Sequence, residues 1–239
     1  VGRILVVDDD DTVAEVVVAY LARAGHHVVR AADGAGALRA ARAEPGVDLV
    51  LLDVMLPDLD GIEVCRRLRR DGDVPVVMLT ALGGELDRIL GLEVGADDYV
   101  TKPFSVRELV LRVESVLRRA GGRAGGGPGG DRGATLSDGG VVVHTAAREV
   151  TRDGRPVALT GREFDLLVHF LRHPRRAFTR EDLLREVWGW DFGDHSTVTV
   201  HVRRLRNKIE DDPGEPVRLV TVWGVGYRWE PAPAGESAP

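Results

Sequence analysis

Cysteine, lysine and long apolar runs are nearly or wholly missing from this chain, and each absence narrows what it can be. Cysteine occurs once, at Cys65, so neither an intrachain disulfide nor a cysteine-cluster metal site can form. A reducing cytoplasm is the expected setting. No stretch approaches the ~20 apolar residues that a membrane span needs. The opening VGRILVVDDD lacks the basic-then-apolar plan of a signal peptide and reads as a strand. Lysine appears only as Lys102 and Lys208, against 30 arginines. Such a bias can follow from nucleotide composition, so arginine number argues nothing about binding, and an individual lysine is the more informative residue.

What is present suits two ordinary domains. The 239 residues are 44% hydrophobic and 29% charged, a globular composition. Residues 1–120 carry 21 acids and 15 bases, and residues 121–239 carry 17 of each. The second half is therefore neutral, and any binding of nucleic acid there has to rest on local clustering of charge.

Apolar runs at 4–7, 28–31, 49–52, 76–79 and 99–100 read as short buried strands. Helical spacing separates them at 12–24, 35–43, 62–70, 85–94 and 106–119, with Thr12 and Glu15 as a capping-box signal. Strict alternation predicts an α/β fold: a doubly wound, five-stranded parallel sheet over residues 1–120. GGRAGGGPGGDRG at 121–133 reads as a flexible linker. A second domain, 134–230, opens with strands at 141–144, 149–151 and 157–159. Three helices follow: one begun by Thr160 and Glu163, one by Thr179 and Asp182, and a third over 196–209. A C-terminal hairpin surrounds Trp-Gly-Val-Gly, and PAPAGESAP at 231–239 reads as a disordered tail.

Ligands of open parallel sheets sit beyond the carboxyl ends of the strands. Asp8 and Asp9 follow the first strand, Asp53 the third and Thr80 the fourth, and Lys102 lies just past the fifth. Adjacent strands are ~4.8 Å apart, so these side chains can converge. Three carboxylates together repel and call for a cation, and oxygen ligands without histidine or cysteine favour Mg²⁺. Lys102 adds a charge suited to a phosphoryl oxygen, and one carboxylate can then act as nucleophile toward a phosphoryl group. The plainer reading, that strand-end acids are helix caps and solvated turn residues, fits Asp10 and Asp11.

VVDDD, LLDVMLPDLDG, VVMLTA and GADDYVTKPF resemble the receiver domain of bacterial response regulators over residues 3–119. The resemblance implies Asp53 as phosphoacceptor, and Asp8, Asp9 and the backbone carbonyl of Met55 as further metal ligands. It implies a phosphoryl contact from Thr80, an aromatic switch at Tyr99, an ion pair from Lys102 and a cis Lys102–Pro103 bond. It also implies a symmetric receiver dimer through Arg88, Asp97, Asp98, Glu108, Arg112 and Arg119, although mixed charge on helices is also what a solvated face carries. Asp58 stands where relatives often have glycine, a change expected to matter little. Met55 and Leu82 flank the pocket; both are apolar and neither can orient an attacking water, so a slowly hydrolysing phosphoaspartate is expected. Simple packing of two apolar loops is the equal alternative. Cys65 is expected in the core.

In the third helix of the second domain, Val198, Val202, Leu205 and Ile209 make a buried stripe, and the remaining surface is basic. LTGREFDLLVHFLRHP, TREDLLREVWG, STVTVHVRRLRNKIE and TVWGVGYRW resemble the winged-helix effector of the OmpR/PhoB subfamily over about 134–230. By position, Thr197, Thr199, His201, Arg203, Arg204 and Arg206 would face DNA, and Thr221, Trp223 and Tyr227 would belong to the wing. Thr199 as plain helix surface and Tyr227 as core remain open. Trp223 departs from the arginine that several relatives place in the minor groove, which puts wing readout in doubt. The loop 188–194 would touch RNA polymerase. The resemblance thus implies a phosphorylation-dependent transcription regulator served by a sensor histidine kinase, dimerising on activation and binding promoter half-sites. An enzymatic output domain is a second reading, against which the second half shows no nucleophile triad, P-loop or metal-ligand spacing. A receiver that has lost phosphorylation and dimerises constitutively is a third; retention of the pocket residues speaks against it.

Overall fold

Strands that are apolar at every position need cover on both faces, and the N-terminal unit supplies it. The computed structural model describes residues 1–43, 45–80, 94–120, 133–190 and 195–233, with backbone alone at 119 and 120. The chain divides into two compact units, Val1–Gly125 and Gly126–Pro239.

In the first unit, β1 (Arg3–Val7), β2 (His27–Ala31), β3 (Leu49–Asp53), β4 (Val76–Thr80) and β5 (Asp98–Thr101) form one sheet in the order β2-β1-β3-β4-β5. Every pair is parallel. Ile4–Val7, Leu49–Leu52 and Val76–Leu79 are essentially without solvent exposure, as central strands covered on both sides must be. β2, at the sheet edge, is only partly buried. Among the described residues the helices are α1 (Asp11–Arg23), α2 (Gly34–Arg42), α3 (Gly61–Asp71) and α4 (Val106–Ala120). The helix expected at 85–94 falls almost wholly outside the described residues, as do the linker before Gly133 and the tail after residue 233. Cys65 is buried on α3, as expected.

The acids around the sheet edge divide their work. Asp10, not Thr12, caps α1, accepting from the Thr12 and Val13 amides at 2.8 and 3.2 Å. Asp33 and Asp60 cap α2 and α3 in the same way. Gly61 opens α3 directly against the end of β3. A Cβ there would lie 2.1 Å from the Asp53 carbonyl oxygen and 2.8 Å from the Val54 Cα.

In the second unit, β6 (Thr135–Asp138), β7 (Val141–His144), β8 (Glu149–Arg152) and β9 (Arg155–Pro156) form an antiparallel sheet. The strand expected at 157–159 is absent, and the pairing stops at β9. α5 (Gly161–Arg172) follows with the predicted capping box of Thr160 and Glu163. β10 (Ala177–Thr179), too short to show a period in sequence, joins β11 (Leu219–Val222) and β12 (Gly226–Trp229) in a sheet ordered β10-β12-β11. α6 (Arg180–Leu183) continues as a π-helical turn, Leu184–Trp188, ended by Gly189 in the left-handed region. α7 (Ser196–Ile209) packs its expected stripe of Val198, Val202, Leu205 and Ile209 inward with Phe170, Phe178, Trp188 and Trp229, all buried. No helix among the described residues is long and apolar enough to cross a membrane.

The contact at Gly61 generates a stability prediction. Gly61→Ala forces backbone against backbone and should lower the stability of the first unit by about 1–3 kcal/mol. Gly46→Ala, where a Cβ meets open space, should be neutral or slightly stabilising. Calorimetry separates the two; tryptophan emission stays silent, since all four tryptophans lie in the second unit.

Candidate functional site

Register decides which acids meet. β1 and β3 pair Val7 with Leu52, so the next step along both strands brings Asp8 level with Asp53. Asp8, Asp9 and Asp53 each offer a carboxylate oxygen within 4.8 Å of the others. Asp8 is fully buried, Asp53 nearly so, and Asp9 is exposed. Lys102 Nζ lies 2.7 Å from both Asp8 Oδ2 and Asp53 Oδ2. The opposite oxygens accept from backbone: Asp8 Oδ1 from the Asp10 amide at 3.0 Å, Asp53 Oδ1 from the Met55 amide at 3.1 Å.

Electrostatics follow from this crowding. Burial raises the Asp53 pKa, the Lys102 hydrogen bond, the Met55 amide and the Lys102 charge offset this only in part, and Asp8 pushes the same way as burial. Burial works to lower Lys102, but hydrogen bonds and charge from Asp53 and Asp8 outweigh it and hold the ammonium raised. Three carboxylates against one ammonium leave an excess of negative charge in an oxygen-only donor set. That combination fits a hard divalent cation.

Thr80 ends β4, buried beside this cluster, and its carbonyl accepts from the Lys102 amide at 2.7 Å. The Lys102–Pro103 bond is cis. Tyr99 is buried on β5. Met55 is 62% exposed; Leu82 lies outside the described residues. Asp58 does more than expected. Its two oxygens accept from the Gly34 and Ala35 amides at 2.7 and 2.9 Å, tying the loop after Asp53 to the start of α2. Those amides hold its pKa below the ordinary range.

Within the free unit, the acids and bases of the expected pairing face are engaged internally. Asp97 is buried within its own unit, where its carboxylate accepts from the Val76 amide at 2.9 Å and from Arg69 at 2.7 Å. Asp97 lies just before β5, and within the free unit its carboxylate serves Arg69 and the start of β4. Asp98 instead pairs with Arg112 at 2.8 Å, and Arg112 with Glu108 at 2.8 Å, in a chain running from β5 onto α4. Arg88 and the Arg119 side chain lie outside the described residues.

In the second unit, three residues expected to face DNA are buried. The His201 imidazole donates from Nδ1 to the Thr197 carbonyl at 2.8 Å and meets Trp188 edge-on, with ring centroids 5.1 Å apart. Burial and the Arg204 charge drive its pKa down to about 3. Thr197, one turn earlier on that side, is buried too. Arg204 pairs with Glu163 at 2.7 Å. Lys208 joins the same carboxylate at 2.6 Å and also donates to the Ala158 carbonyl. The capping residue of α5 therefore also anchors α7, and these two cations hold the Glu163 pKa low despite its burial. Trp188 and Trp190 are core residues, so their indoles are not part of an exposed 188–194 loop; residues 191–194 lie outside the described ones.

The outward set is different. Thr199 and Arg203 are exposed and Arg206 half-buried. Arg206 donates to the Leu219 carbonyl at 2.8 Å and to Thr221 Oγ1 at 2.9 Å, joining α7 to β11. The Tyr227 ring is buried, lying 5.0 Å from the Arg180 guanidinium and 5.7 Å from that of Arg206. Arg180 also reaches Thr199 Oγ1 at 3.1 Å and the Tyr227 hydroxyl at 3.2 Å. Sequence reasoning missed Arg180, which stands on α6 with no pattern to mark it. The result is a preorganised cluster of two cations and three hydroxyls, the kind of group that binds phosphate.

An acidic pocket bridged by a lysine in one unit and a basic helix-and-hairpin surface in the other fit a signalling protein with an effector half. Residues 4–114 match the response regulator receiver domain, and residues 154–229 match the C-terminal domain of transcriptional regulatory proteins. The chain is 49% identical over 230 residues to the DNA-binding response regulator MtrA of Mycolicibacterium smegmatis, covering 96% of this chain and 97% of that one. It is 45% identical over 228 residues to the sensory transduction protein RegX3 of the same organism, covering 95% and 98%. Among solved structures it is similar to DrrB, a Thermotoga maritima OmpR/PhoB homolog, at 33% identity and a TM-score of 0.50, with 96% and 99% covered. A mutant form of RitR aligns at 25% identity and a TM-score of 0.73, with 97% and 100% covered. The chain belongs to the OmpR/PhoB family of response regulators, in which phosphorylation of a receiver controls transcription through a C-terminal effector.

Two buried histidines make the second unit acid-sensitive. His201 titrates at about 3 and His169, desolvated and close to His173, Arg176 and Arg172, at about 4. Both stay neutral in the fold but protonate near 6.5 once unfolded, so stability falls as pH drops below 6.5. The expected loss between pH 7.5 and pH 5 is about 4 kcal/mol for the pair. Glu163, with its lowered pKa, adds stability that is present above about pH 4.5 and lost as pH falls further. Urea unfolding followed by tryptophan fluorescence measures both. Glu163→Gln should cost about 3–5 kcal/mol at neutral pH by leaving Arg204 and Lys208 without their counterion.

Proposed function

We propose that a sensor histidine kinase passes a phosphoryl group to Asp53, and that the modified receiver then pairs with a second copy and places two effectors on promoter DNA. The observation that carries this reading is the bridge of Lys102 to Asp8 and Asp53 inside the acidic cluster. In the transfer, an Asp53 carboxylate oxygen attacks phosphorus as the bond from phosphorus to the kinase histidine breaks; that ring, protonated on its other nitrogen, takes the bonding pair and leaves as neutral imidazole, and Asp53 becomes an acyl phosphate. Asp53 has to be ionised to attack, a form that the adjacent Lys102 ammonium favours. Lys102, already within reach of Asp53, can follow the entering phosphoryl oxygen. Asp8, Asp9, Asp53 and the Met55 carbonyl would hold Mg²⁺, which when bound neutralises charge on the transferring group.

Thr80 would contact the new phosphoryl oxygens and draw Tyr99 with it along β4 and β5. The face carrying Asp98, Glu108 and Arg112 then favours pairing, these ions exchanging partners within the molecule for partners across it. Asp98 and Arg112 are buried in the free unit, so the exchange has to keep each charge answered by a partner, and a phosphorylation event at the receiver biases it. The glycine-rich segment 121–133 tethers the effectors, and pairing raises their effective concentration at adjacent half-sites. Thr199, Arg203, Arg206, Arg180, Thr221 and the Tyr227 hydroxyl form the proposed DNA surface, with Arg203 the exposed base-reading candidate. The remaining residues of the 188–194 loop are assigned to RNA polymerase. Kinase, promoter and polymerase together place the protein inside the cytoplasm.

Incubation with Mg²⁺ and a small-molecule phosphodonor should add one phosphate mass to the chain, on the peptide containing Asp53, and Asp53→Asn should abolish it. Addition at another residue, or none, overturns the switch. Because Met55 cannot orient a water, the phosphorylated form should persist far longer than seconds in isolated protein. Met55→Asn should shorten that lifetime; an unchanged or longer lifetime would show that position 55 does not control hydrolysis.

A further inference from the structure

The loop that follows Asp53 is tied down at a point away from the acids themselves. Backbone fixes both of its ends. The Val54 amide donates to the Leu79 carbonyl at 3.0 Å, and the Gly61 amide to the Val54 carbonyl at 2.8 Å. Between them, the tie to another element among the described residues comes from Asp58. Its Oδ1 and Oδ2 accept from the Gly34 and Ala35 amides at 2.7 and 2.9 Å. Those amides belong to the first turn of α2 and have no acceptor within the helix. Asp33, which caps α2 from its own side, is occupied with the Gly36 amide at 2.5 Å. Loop and helix are also close in space: a Cβ on Gly34 would lie 2.8 Å from both Leu59 Cβ and Val64 Cγ2. Asp58 itself is exposed, so no core packing requires a carboxylate there.

We infer that Asp58 is a positioning residue for the divalent-cation site: by pinning the loop to α2, it fixes where the Met55 carbonyl stands. The inference rests on the Mg²⁺ reading of the pocket. A carboxylate ligand can turn about its own side-chain bonds to meet a cation, whereas a backbone carbonyl moves only with its peptide. Met55 and Asp58 are separated by Leu56 and Pro57 alone. The proline ring locks its own φ and restricts the residue before it, so this short segment transmits a displacement instead of absorbing it. With Asp58 removed, the loop is held at its ends only. Met55 then gains freedom, and ordering it again on binding lowers the affinity for the ion.

The probe is Mg²⁺ itself, titrated into the unphosphorylated full chain and followed through backbone amide NMR resonances. Asp58→Ala should weaken Mg²⁺ binding on the order of 10-fold, as loss of groups that orient metal ligands does. Asp58→Asn keeps one acceptor oxygen and should fall between the alanine variant and the parent. Both substitutions remove the same charge, so equal losses would mark a purely Coulombic effect and overturn positioning. Asp33→Ala loosens α2 from its own side without touching the loop, and should leave Mg²⁺ affinity unchanged. A loss equal to that of Asp58→Ala would trace the effect to α2 stability and overturn the inference. Phosphorylation by a small-molecule donor gives a second readout: the rate of Asp58→Ala should drop at low Mg²⁺ and recover as Mg²⁺ saturates. A deficit that saturation leaves in place overturns it. The amide spectra report folding in the same experiment, and parental affinity in either Asp58 variant overturns the role of Asp58 while leaving the pocket standing. A parent chain that binds no Mg²⁺ overturns the pocket reading, and this inference with it.

Discussion

Negative charge that has been carried out of water has to be answered by a positive group close at hand, and both units of this chain are organised around that constraint. In the first, Asp8 and Asp53 meet at the edge of a fully covered sheet, with Lys102 between them. In the second, Glu163 is buried under α7 and held by Arg204 and Lys208. The two lysines of the chain are thus each committed to a buried carboxylate. The two arrangements differ in how completely they are answered. Glu163 is answered by two cations, whereas Asp8, Asp9 and Asp53 share the single ammonium of Lys102.

That incompleteness is what makes the pocket functional. A cluster with surplus negative charge suits a divalent cation, and a carboxylate within it is the proposed nucleophile. The surrounding loop is held with little freedom. Gly61 lies on the Asp53 backbone, and Asp58 ties the loop to the first amides of α2. A covalent change at Asp53, as proposed, would therefore be felt by packed backbone rather than absorbed by a slack loop. A lone strand-end acid would offer none of this.

The effector helix answers a different demand, since one surface must pack and another must bind. α7 meets it by burying a wide arc that includes polar groups as well as the valine and leucine stripe. His201 and Arg204 serve the interior, and Thr199, Arg203 and part of Arg206 remain outward. Arg180 and Tyr227 come from other elements to complete a hydroxyl and guanidinium cluster beside them. Local clustering, not net charge, is how a neutral domain can present the proposed phosphate-binding surface.

Much of this was legible in residues alone. Continuous apolar runs named the five parallel strands, because a strand covered on both faces has no polar side to alternate with. The strand-end positions of Asp8, Asp53, Thr80 and Lys102 pointed to one pocket, because strand termini in such a sheet share an edge. Period alone could not tell that His201 and Arg204 turn inward, since a basic residue at the margin of a helical stripe is consistent with either side until a partner such as Glu163 is in place. It could not separate Asp97 from Asp98 while the pairing of β4 with β5 was unknown, and it gave no sign of Arg180 or of the three-residue β10. Local chemistry, written every two or every three to four residues, belongs to the sequence; which groups neutralise one another belongs to the tertiary structure, because charges 45 to 94 positions apart meet only when register and packing bring them within 3 Å.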